Sequence, residues 1–271
     1  MKDLIKNNLK KDSNIFRFLQ SIYGTSLRWK AEFEERLKNR FYLPEEVSIE
    51  SILSQYALLY PTATFIQVGA NDGKSHDFLF EHIRDSQWHG ILVEPVTKLF
   101  QQLVQNYQGH NERLHFENSA ISDRNGHMTF YRVHRPEGSE VPEWAEQLSS
   151  FNLDVIHKHH WDIPQIRKLI IEEQIEAITL ASLVDKYKLP NVQLIMIDTE
   201  GHDYEIIKHI DFRKLQTEIV VFEHIHISLK DYKAALRLLK SQGFQVFRDD
   251  RDIIALSNML LERSPALRTA T

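Results

Sequence analysis

The residues of this chain that could do chemistry fall in four short stretches. The first is Val68-Gly69-Ala70-Asn71-Asp72-Gly73-Lys74-Ser75, a glycine-bearing turn after the apolar run Thr64-Phe65-Ile66-Gln67-Val68. Gly69 and Gly73 allow positive φ and let a ligand approach the backbone, where the N–H groups of a following helix point at it. The second stretch is Glu94-Pro95. Glu94 lies 25 residues beyond Gly69, close to the spacing at which an acid accepts hydrogen bonds from a ribose hydroxyl pair. Together they indicate a nucleoside ligand; a tight turn beside a solvated strand-end acid is the alternative without function. The third and fourth are Asp198-Thr199-Glu200-Gly201-His202-Asp203 and Glu223-His224-Ile225-His226, each closing an apolar run. A pyrophosphate calls for G-x-G-x-x-G, whereas Asn71 and Asp72 put polar, partly anionic groups into this turn. S-adenosylmethionine carries a sulfonium and an ammonium and no phosphate, so Asp72 would attract it and repel NAD.

Such residues need a scaffold that gathers strand ends. From Thr64 onward short apolar runs alternate with amphipathic segments, the βαβα rhythm of a parallel sheet covered by helices. Strands are predicted at 64–68, 90–93, 113–116, 192–197 and 218–222, each ending in polar residues. Helices are predicted from an N-cap at Ser75, from Thr97 with Phe100, Leu103, Val104 and Tyr107 on one face, from about Asp203, and over 232–239. Residues 244–247 and 253–256, joined through Arg248-Asp249-Asp250-Arg251, read as a closing hairpin. Between strand-like segments at 129–133 and 178–180, residues 134–177 carry Pro136, Pro142, Trp144, Trp161, Pro164 and the histidines His157, His159 and His160. An insertion of that length reads as a lid or binding loop, with the three histidines on a solvated face. Residues 1–60 are charge-rich with a helical stripe of Ile15, Phe18, Leu19 and Ile22, continued by Trp29, Phe33 and Leu37. The expected organisation is therefore an N-terminal helical cap over 1–60, a ligand-binding domain over 61–261 with the insertion, and a frayed tail over 262–271.

Composition bounds the rest. The chain has 271 residues, 33 Lys and Arg against 38 Asp and Glu, and a formal charge of −5. With 42% hydrophobic and 26% charged residues it is an ordinary folded protein, long enough for one domain with an appendage. The absence of cysteine excludes disulfides, thiolate zinc sites and a cysteine nucleophile. No window approaches 18 uncharged apolar residues, and Met1-Lys2-Asp3-Leu4-Ile5-Lys6-Asn7-Asn8 lacks the apolar stretch of a signal peptide, so a cytoplasmic protein with no membrane partner is expected. Without a basic stripe, nucleic acid is not an expected partner.

The motifs come in a telling order. Val68-Gly69-Ala70-Asn71-Asp72-Gly73, Val93-Glu94-Pro95, Asn118-Ser119-Ala120-Ile121-Ser122, Thr179-Leu180-Ala181-Ser182-Leu183, Ile197-Asp198-Thr199-Glu200-Gly201-His202-Asp203 and the late Phe222-Glu223-His224 resemble the FkbM family of S-adenosylmethionine-dependent methyltransferases over about residues 64–256. The resemblance implies an α/β class I methyltransferase fold, a Rossmann-like seven-stranded sheet with helices on both faces and an antiparallel last strand. It implies S-adenosyl-L-methionine as cofactor and S-adenosyl-L-homocysteine as product. Gly69, Asn71 and Gly73 would hold the methionine part, Glu94 the ribose and Asn118-Ser119 the adenine, with Asp72, Pro95 and Asp198 beside them. The sequence departs from the family pattern at Thr199, where an acid or apolar residue is more usual, and at Asp203, where Glu is. The N-terminal sixty residues and the insertion match no family pattern and are expected to set the acceptor.

The activity so implied is O-methylation of a small molecule, or of a sugar-, polyketide- or peptide-derived natural product. An aliphatic hydroxyl needs a base, worth about 10²–10⁴-fold; a carboxylate acceptor needs none. His202 is the expected base, with Glu200 or Asp198 orienting it or the acceptor. Glu223, His224 and His226 are expected to line the substrate pocket, joined by Ser149 and Ser150 from the insertion. His224, His226, Asp198 and Glu200 also include metal-ligand types, but no spacing is diagnostic and a metal is not expected. A nicotinamide-dependent oxidoreductase and a non-catalytic nucleoside-binding module are the competing readings. Acceptor identity and homo-oligomerisation stay open.

Overall fold

A computed structural model describes residues 29–30, 45–110 and 112–268. Twelve strands are present among them: β1 (Glu45–Glu46), β2 (Thr64–Val68), β3 (His89–Val93), β4 (Leu114–Glu117), β5 (Ala120–Ile121), β6 (Gly126–Val133), β7 (Ser149–Ser150), β8 (Ile170–Ile178), β9 (Leu194–Ile197), β10 (Ile219–Glu223), β11 (Phe244–Asp249) and β12 (Asp252–Ser257). The helices used below are α1 (Ile49–Leu59), α2 (Phe80–Asp85), α3 (Thr97–Asn106), α4 (Leu153–His157), α5 (Ile166–Leu169), α6 (Leu180–Tyr187), α7 (Asp203–Ile207), α8 (Phe212–Leu215), α9 (Leu229–Ser241) and α10 (Asn258–Arg263).

The main sheet runs β1-β11-β12-β10-β9-β2-β3-β4. Strands β2, β3, β4, β9 and β10 pair in parallel, and β12 is antiparallel to both β10 and β11. This is the class I methyltransferase arrangement with its closing hairpin, extended by a two-residue edge strand, β1, so that the sheet has eight strands rather than seven. Both faces are covered, which is why β2, β9 and β10 are buried at every position and read as largely apolar runs, broken only by Thr64 and Gln67 in β2 and ended by Glu223 in β10. Alternate residues go to opposite layers: Ile66, Val68, Ile195, Ile197, Val220 and Phe222 pack on α6 to α9, whereas Phe65, Leu194, Met196, Ile219 and Val221 pack on α1, α2, α3 and α10.

The chain leaves β2 toward β3 and β4 in one direction, then returns to place β9 and β10 on the other side. The switch point lies between β2 and β9, where the loops diverge and open a crevice at the carboxyl ends of the strands.

Five expectations are corrected. The segment after Gly73 is not a helix capped by Ser75; Asp72 Oδ1 accepts from the Lys74 and Ser75 amides, the chain turns, and α2 begins only at Phe80. Thr179-Leu180 is not strand: Thr179 is the N-cap of α6, its side chain accepting from the Ser182 amide. The stretch 134–177 is not a loop throughout, because its last residues belong to β8, which pairs with all of β6 in a second sheet ordered β5-β8-β6-β7. Its remainder folds around an apolar cluster of its own, Val133, Val141, Ala145, Leu148, Ile156, Ile163 and Ile166. Residue 60 is no boundary either: α1, capped by Ser48, buries Ile49, Ile52, Leu53 and Tyr56 in the main core. At the other end Leu267 is fully buried, so the tail is not frayed from 262. The expected stripe residues Ile15, Phe18, Leu19, Ile22, Phe33 and Leu37 lie outside the described residues; Trp29 is exposed.

Because α1 is core rather than appendage, Leu53→Ala should cost about 2–5 kcal/mol in urea denaturation. A loss below about 0.5 kcal/mol, the value for an exposed position, would return this helix to the status of a cap.

Candidate active site

The site starts from a contact between two strand ends. Gly69 has φ +78°, and a Cβ placed on it would lie 1.8 Å from the Asp198 carbonyl oxygen. Only glycine lets the end of β2 approach the end of β9 this closely. The Gly69 and Ala70 amides donate to the Val93 carbonyl at 3.0 Å each, which ties the turn to β3 as well. Asn71 follows in the left-handed region at φ 51°, and its amide donates to Glu94 Oε2 at 3.0 Å. Glu94 Oε1 accepts from the Val96 amide at 2.7 Å. The carboxyl group is 3% exposed, and burial pushes its pKa up to about 7 against the pull of those two amides.

Gly69, Asn71, Glu94 and Pro95 line a cleft of about 490 Å³, counting the space open to solvent, bounded by Ser119, Ala120 and Ile121 on one side and by Asp198, Thr199 and Glu200 on the other. Phe130 of β6 and Gln147, Ser149 and Phe151 of the insertion roof it. The buried Ser119 hydroxyl on this wall has no hydrogen-bond partner among the described residues. Across Gly69 a smaller hollow of about 310 Å³ is lined by Gln67, Asn71, Asp77, Met196 and Asp198. Burial raises the Asp77 pKa to about 6.

Three expected cofactor residues serve the frame instead of the wall. Asp72 spends its carboxylate on its own turn, Oδ2 accepting from Ser75 Oγ at 2.6 Å in addition to the two amides, because a short acid readily caps the backbone beside it. A Cβ at Gly73 would run into Leu103 and Tyr107, so glycine there lets α3 pack on the turn. Asn118 is exposed and donates through Nδ2 to the Glu94 and Pro95 carbonyls at 2.8 and 3.1 Å, which braces the β3 end.

The loop after β9 divides its residues between two sides. Glu200 sits at φ 50° and Gly201 at φ +95°, and this pair of left-handed residues turns the chain so that Glu200 faces the cleft. His202 goes the other way: its Nε2 lies 3.1 Å from Ser122 Oγ, its ring packs on Phe151 at 4.7 Å, and burial lowers its pKa. It is therefore not a wall residue. Asp203 is buried, accepting from Thr199 Oγ1 and the Gly201 amide. His224 is also turned away, its ring against Tyr232 and its Nε2 3.2 Å from the Asp250 carbonyl. Glu223 and His226 do join the group behind the wall: His226 Nε2 is 3.1 Å from Glu200 Oε2 and 3.7 Å from Glu223 Oε2, while Glu223 Oε1 accepts from Arg251 at 2.9 Å. Burial, and after it the crowding of the neighbouring acids, raises Glu200 and Asp203 to about 8 and Glu223 well above its ordinary range; burial raises Asp198 too. Ser149 lines the cleft, and Ser150, buried beneath it, donates to the Glu200 carbonyl at 2.8 Å and accepts from the Asn152 amide.

The profile of the methyltransferase FkbM domain matches residues 67–246, well over half of the chain and all of the strand ends just described. The chain belongs to the FkbM methyltransferase family. This FkbM chain is similar to the FkbM methyltransferase of Methylobacillus flagellatus KT, at 13% identity and a TM-score of 0.47 over 94% of this chain and 57% of that one. It thus spans a little over half the length of that protein. It is also similar to TrmK of M. capricolum in complex with S-adenosyl-homocysteine, at 13% identity and a TM-score of 0.39 over 79% of this chain and 70% of that one. A third similar structure is cofactor-bound Rv0187 from MTB, at 10% identity and a TM-score of 0.43 over 94% of each chain. No curated protein matches. No helix among the described residues is long and apolar enough to cross a membrane.

Several site residues carry no local sequence signal. Phe130 and Gln147 reach the cleft only because the second sheet folds over it, and Arg251 arrives from the β11–β12 turn. His159, expected on a solvated loop face, packs instead on Trp144 and against His226. Ser150 is the tie that keeps the insertion on the Glu200 loop. Ser150→Ala should lower stability by about 1–3 kcal/mol in thermal denaturation, since it leaves the Glu200 carbonyl and the Asn152 amide unpaired. An unchanged midpoint would show that the insertion is held without it.

Proposed function

We propose that this FkbM chain is an S-adenosylmethionine-dependent O-methyltransferase acting on a hydroxyl of a small molecule, in natural-product or saccharide biosynthesis. The observation that carries the reading is the cleft at the strand switch point, where the Gly69 turn meets the Glu94 carboxylate. The residues present fit the cofactor. Glu94 keeps acceptor capacity beyond its two amides for a ribose hydroxyl pair, the unpartnered Ser119 hydroxyl and the apolar Val93, Ile121 and Phe130 suit an adenine, and the hollow beside Asp77 and Asp198 suits a cationic amino-acid portion. When bound, S-adenosylmethionine supplies an electrophilic methyl group with a neutral thioether as leaving group.

The chain's own residues then have to align the acceptor and receive its proton. Glu200 and Asp198 are the carboxylates on the cleft wall, whereas His202 is turned to Ser122, so the proton-accepting role assigned to His202 from sequence passes to Glu200. With the cofactor's methyl group as the electrophile, Glu200 Oε1 would take up the proton of the acceptor hydroxyl. Phe130 and Phe151 cover the cleft from above and keep water from competing.

The binding test is titration calorimetry of the full chain with S-adenosylhomocysteine, with NADH in parallel. Binding of the thioether nucleoside alone is expected; binding of NADH alone would hand the site to an oxidoreductase. Glu94→Ala should weaken S-adenosylhomocysteine by about 2–4 kcal/mol. Because ribose hydroxyls donate to the ionised carboxylate, and Glu94 titrates near pH 7, affinity should fall below that pH by up to about tenfold per unit and level off above it. A flat profile from pH 5.5 to 8 would remove Glu94 from the ribose. In turnover assays with an accepted hydroxyl substrate, Glu200→Gln should lose about 10²-fold or more while His202→Ala retains most activity; the reverse pattern would restore His202 as the base.

A further inference from the structure

Behind Glu200 the protein gathers more ligand atoms than methyl transfer needs. His159, Glu200 and His226 each present one, and the three lie within 4.8 Å of one another; Asp198, Glu200 and Glu223 form a second such group that shares Glu200. The segments that carry them are also held by contacts outside the group. A Cβ at Gly201 would lie 3.0 Å from the His226 carbonyl oxygen and 3.2 Å from Val155 Cγ2, so the Glu200 loop is clasped between the β10 loop and α4 of the insertion. Ser150 anchors the Glu200 carbonyl from the same side. Helix α4 leads directly into the turn Lys158–His160 that bears His159. The His159 ring is 5.8 Å from that of His226, and its Nδ1 side faces Asp162 Oδ2 at 4.0 Å. That leaves Nε2, a buried atom with no hydrogen-bond partner among the described residues, as the ligand nitrogen. A carboxylate behind an imidazole is the usual device for orienting a metal-binding histidine. The local charge also asks for a cation: the four acids Asp198, Glu200, Asp203 and Glu223 crowd together against Arg251 and, at Glu200, Lys158.

We propose that His159, Glu200 and His226 bind a divalent first-row transition ion at the acceptor end of the cleft, with the Glu223 carboxylate adjoining. Two imidazoles and one carboxylate favour Zn²⁺, Mn²⁺, Fe²⁺ or Co²⁺ over Mg²⁺ and Ca²⁺, which take oxygen ligands. Three protein ligands leave a position open for an acceptor oxygen. The role, though not the site, rests on the methyltransferase reading: an ion here polarises the acceptor hydroxyl through Lewis acidity, with Glu200 Oε2 toward the ion and Oε1 toward the proton. The insertion thereby contributes a ligand, His159, to the site that it roofs.

The test is titration of the chelator-stripped full chain with Co²⁺, read by its visible d–d absorption, with Mg²⁺ as the hard-ion control. Stoichiometric Co²⁺ uptake without competition from Mg²⁺ is expected. His159→Ala and His226→Ala should each weaken it at least about 100-fold, the upper end of what loss of an outer-sphere partner costs, while His127→Ala, an exposed histidine on β6, leaves it unchanged. S-adenosylhomocysteine binding is measured on every sample. The circular dichroism spectrum of each sample reports its folding, and His159→Ala, in the insertion, carries the test if His226→Ala does not fold. Absence of d–d absorption from a chain that binds S-adenosylhomocysteine would overturn the metal site and leave the methyltransferase reading standing. Unchanged Co²⁺ affinity in His159→Ala would overturn it as well. Co²⁺ uptake lost in His159→Ala, by a chain that does not bind S-adenosylhomocysteine, would support the site and remove its methyl-transfer role.

Discussion

Two strand ends pressed together set the geometry of this molecule. At Gly69 the β2 end comes so near the Asp198 carbonyl that a single methyl group would occupy the same space. Everything functional is hung on that contact. The turn after Gly69 directs the Asn71 amide onto Glu94, and Asp198 begins the β9 loop that delivers Glu200. A larger residue at 69 would push β9 from β2 at the one place where the strand order reverses, and the crevice would lose its two walls together.

The acids assembled around this contact are costly to bury. Asp198, Glu200, Asp203 and Glu223 all have their pKa values raised, burial being the first cause for each; Arg251 opposes this at Asp198, Glu200 and Glu223, Lys158 at Glu200, and hydrogen bonds from Thr199 and Gly201 at Asp203. A protein keeps such a group at a strand edge when something cationic or a transferable proton relieves it. On the readings proposed above, a sulfonium cofactor would relieve the Asp198 end and a divalent ion the His226 end, with Glu200 between them.

The second sheet explains why the insertion is more than a flap. Strand β8 pairs along the whole of β6, and the segment between them packs its own apolar cluster, so Ser149, Ser150, Phe151 and His159 are presented by a folded unit. Rigid presentation suits a roof that holds an aromatic over the cleft and a histidine beside an acid.

Much of this was legible in the sequence. The apolar runs at 194–197 and 219–222 report strands buried on both faces, and the ordered motifs from Val68 to His224 identify the family and the strand ends that make the site. Glu94, Gly69 and Asn71 were readable because their chemistry is local: a turn that needs glycine, and an acid one strand away. Asp72, Gly73 and Asn118 sit in the same motifs, yet they hold the frame; a motif lists residues without saying which atoms face inward. His202 and Glu200 are two positions apart, and only the left-handed backbone at Glu200 and Gly201 decides that one lines the cleft and the other bonds Ser122. The meeting of His159 with His226, 67 positions along the chain, has no trace in spacing or periodicity. Local backbone preference and burial pattern are written residue by residue, whereas contacts between distant segments come from the summed packing of sheets and helices, and that sum exists only in the folded chain.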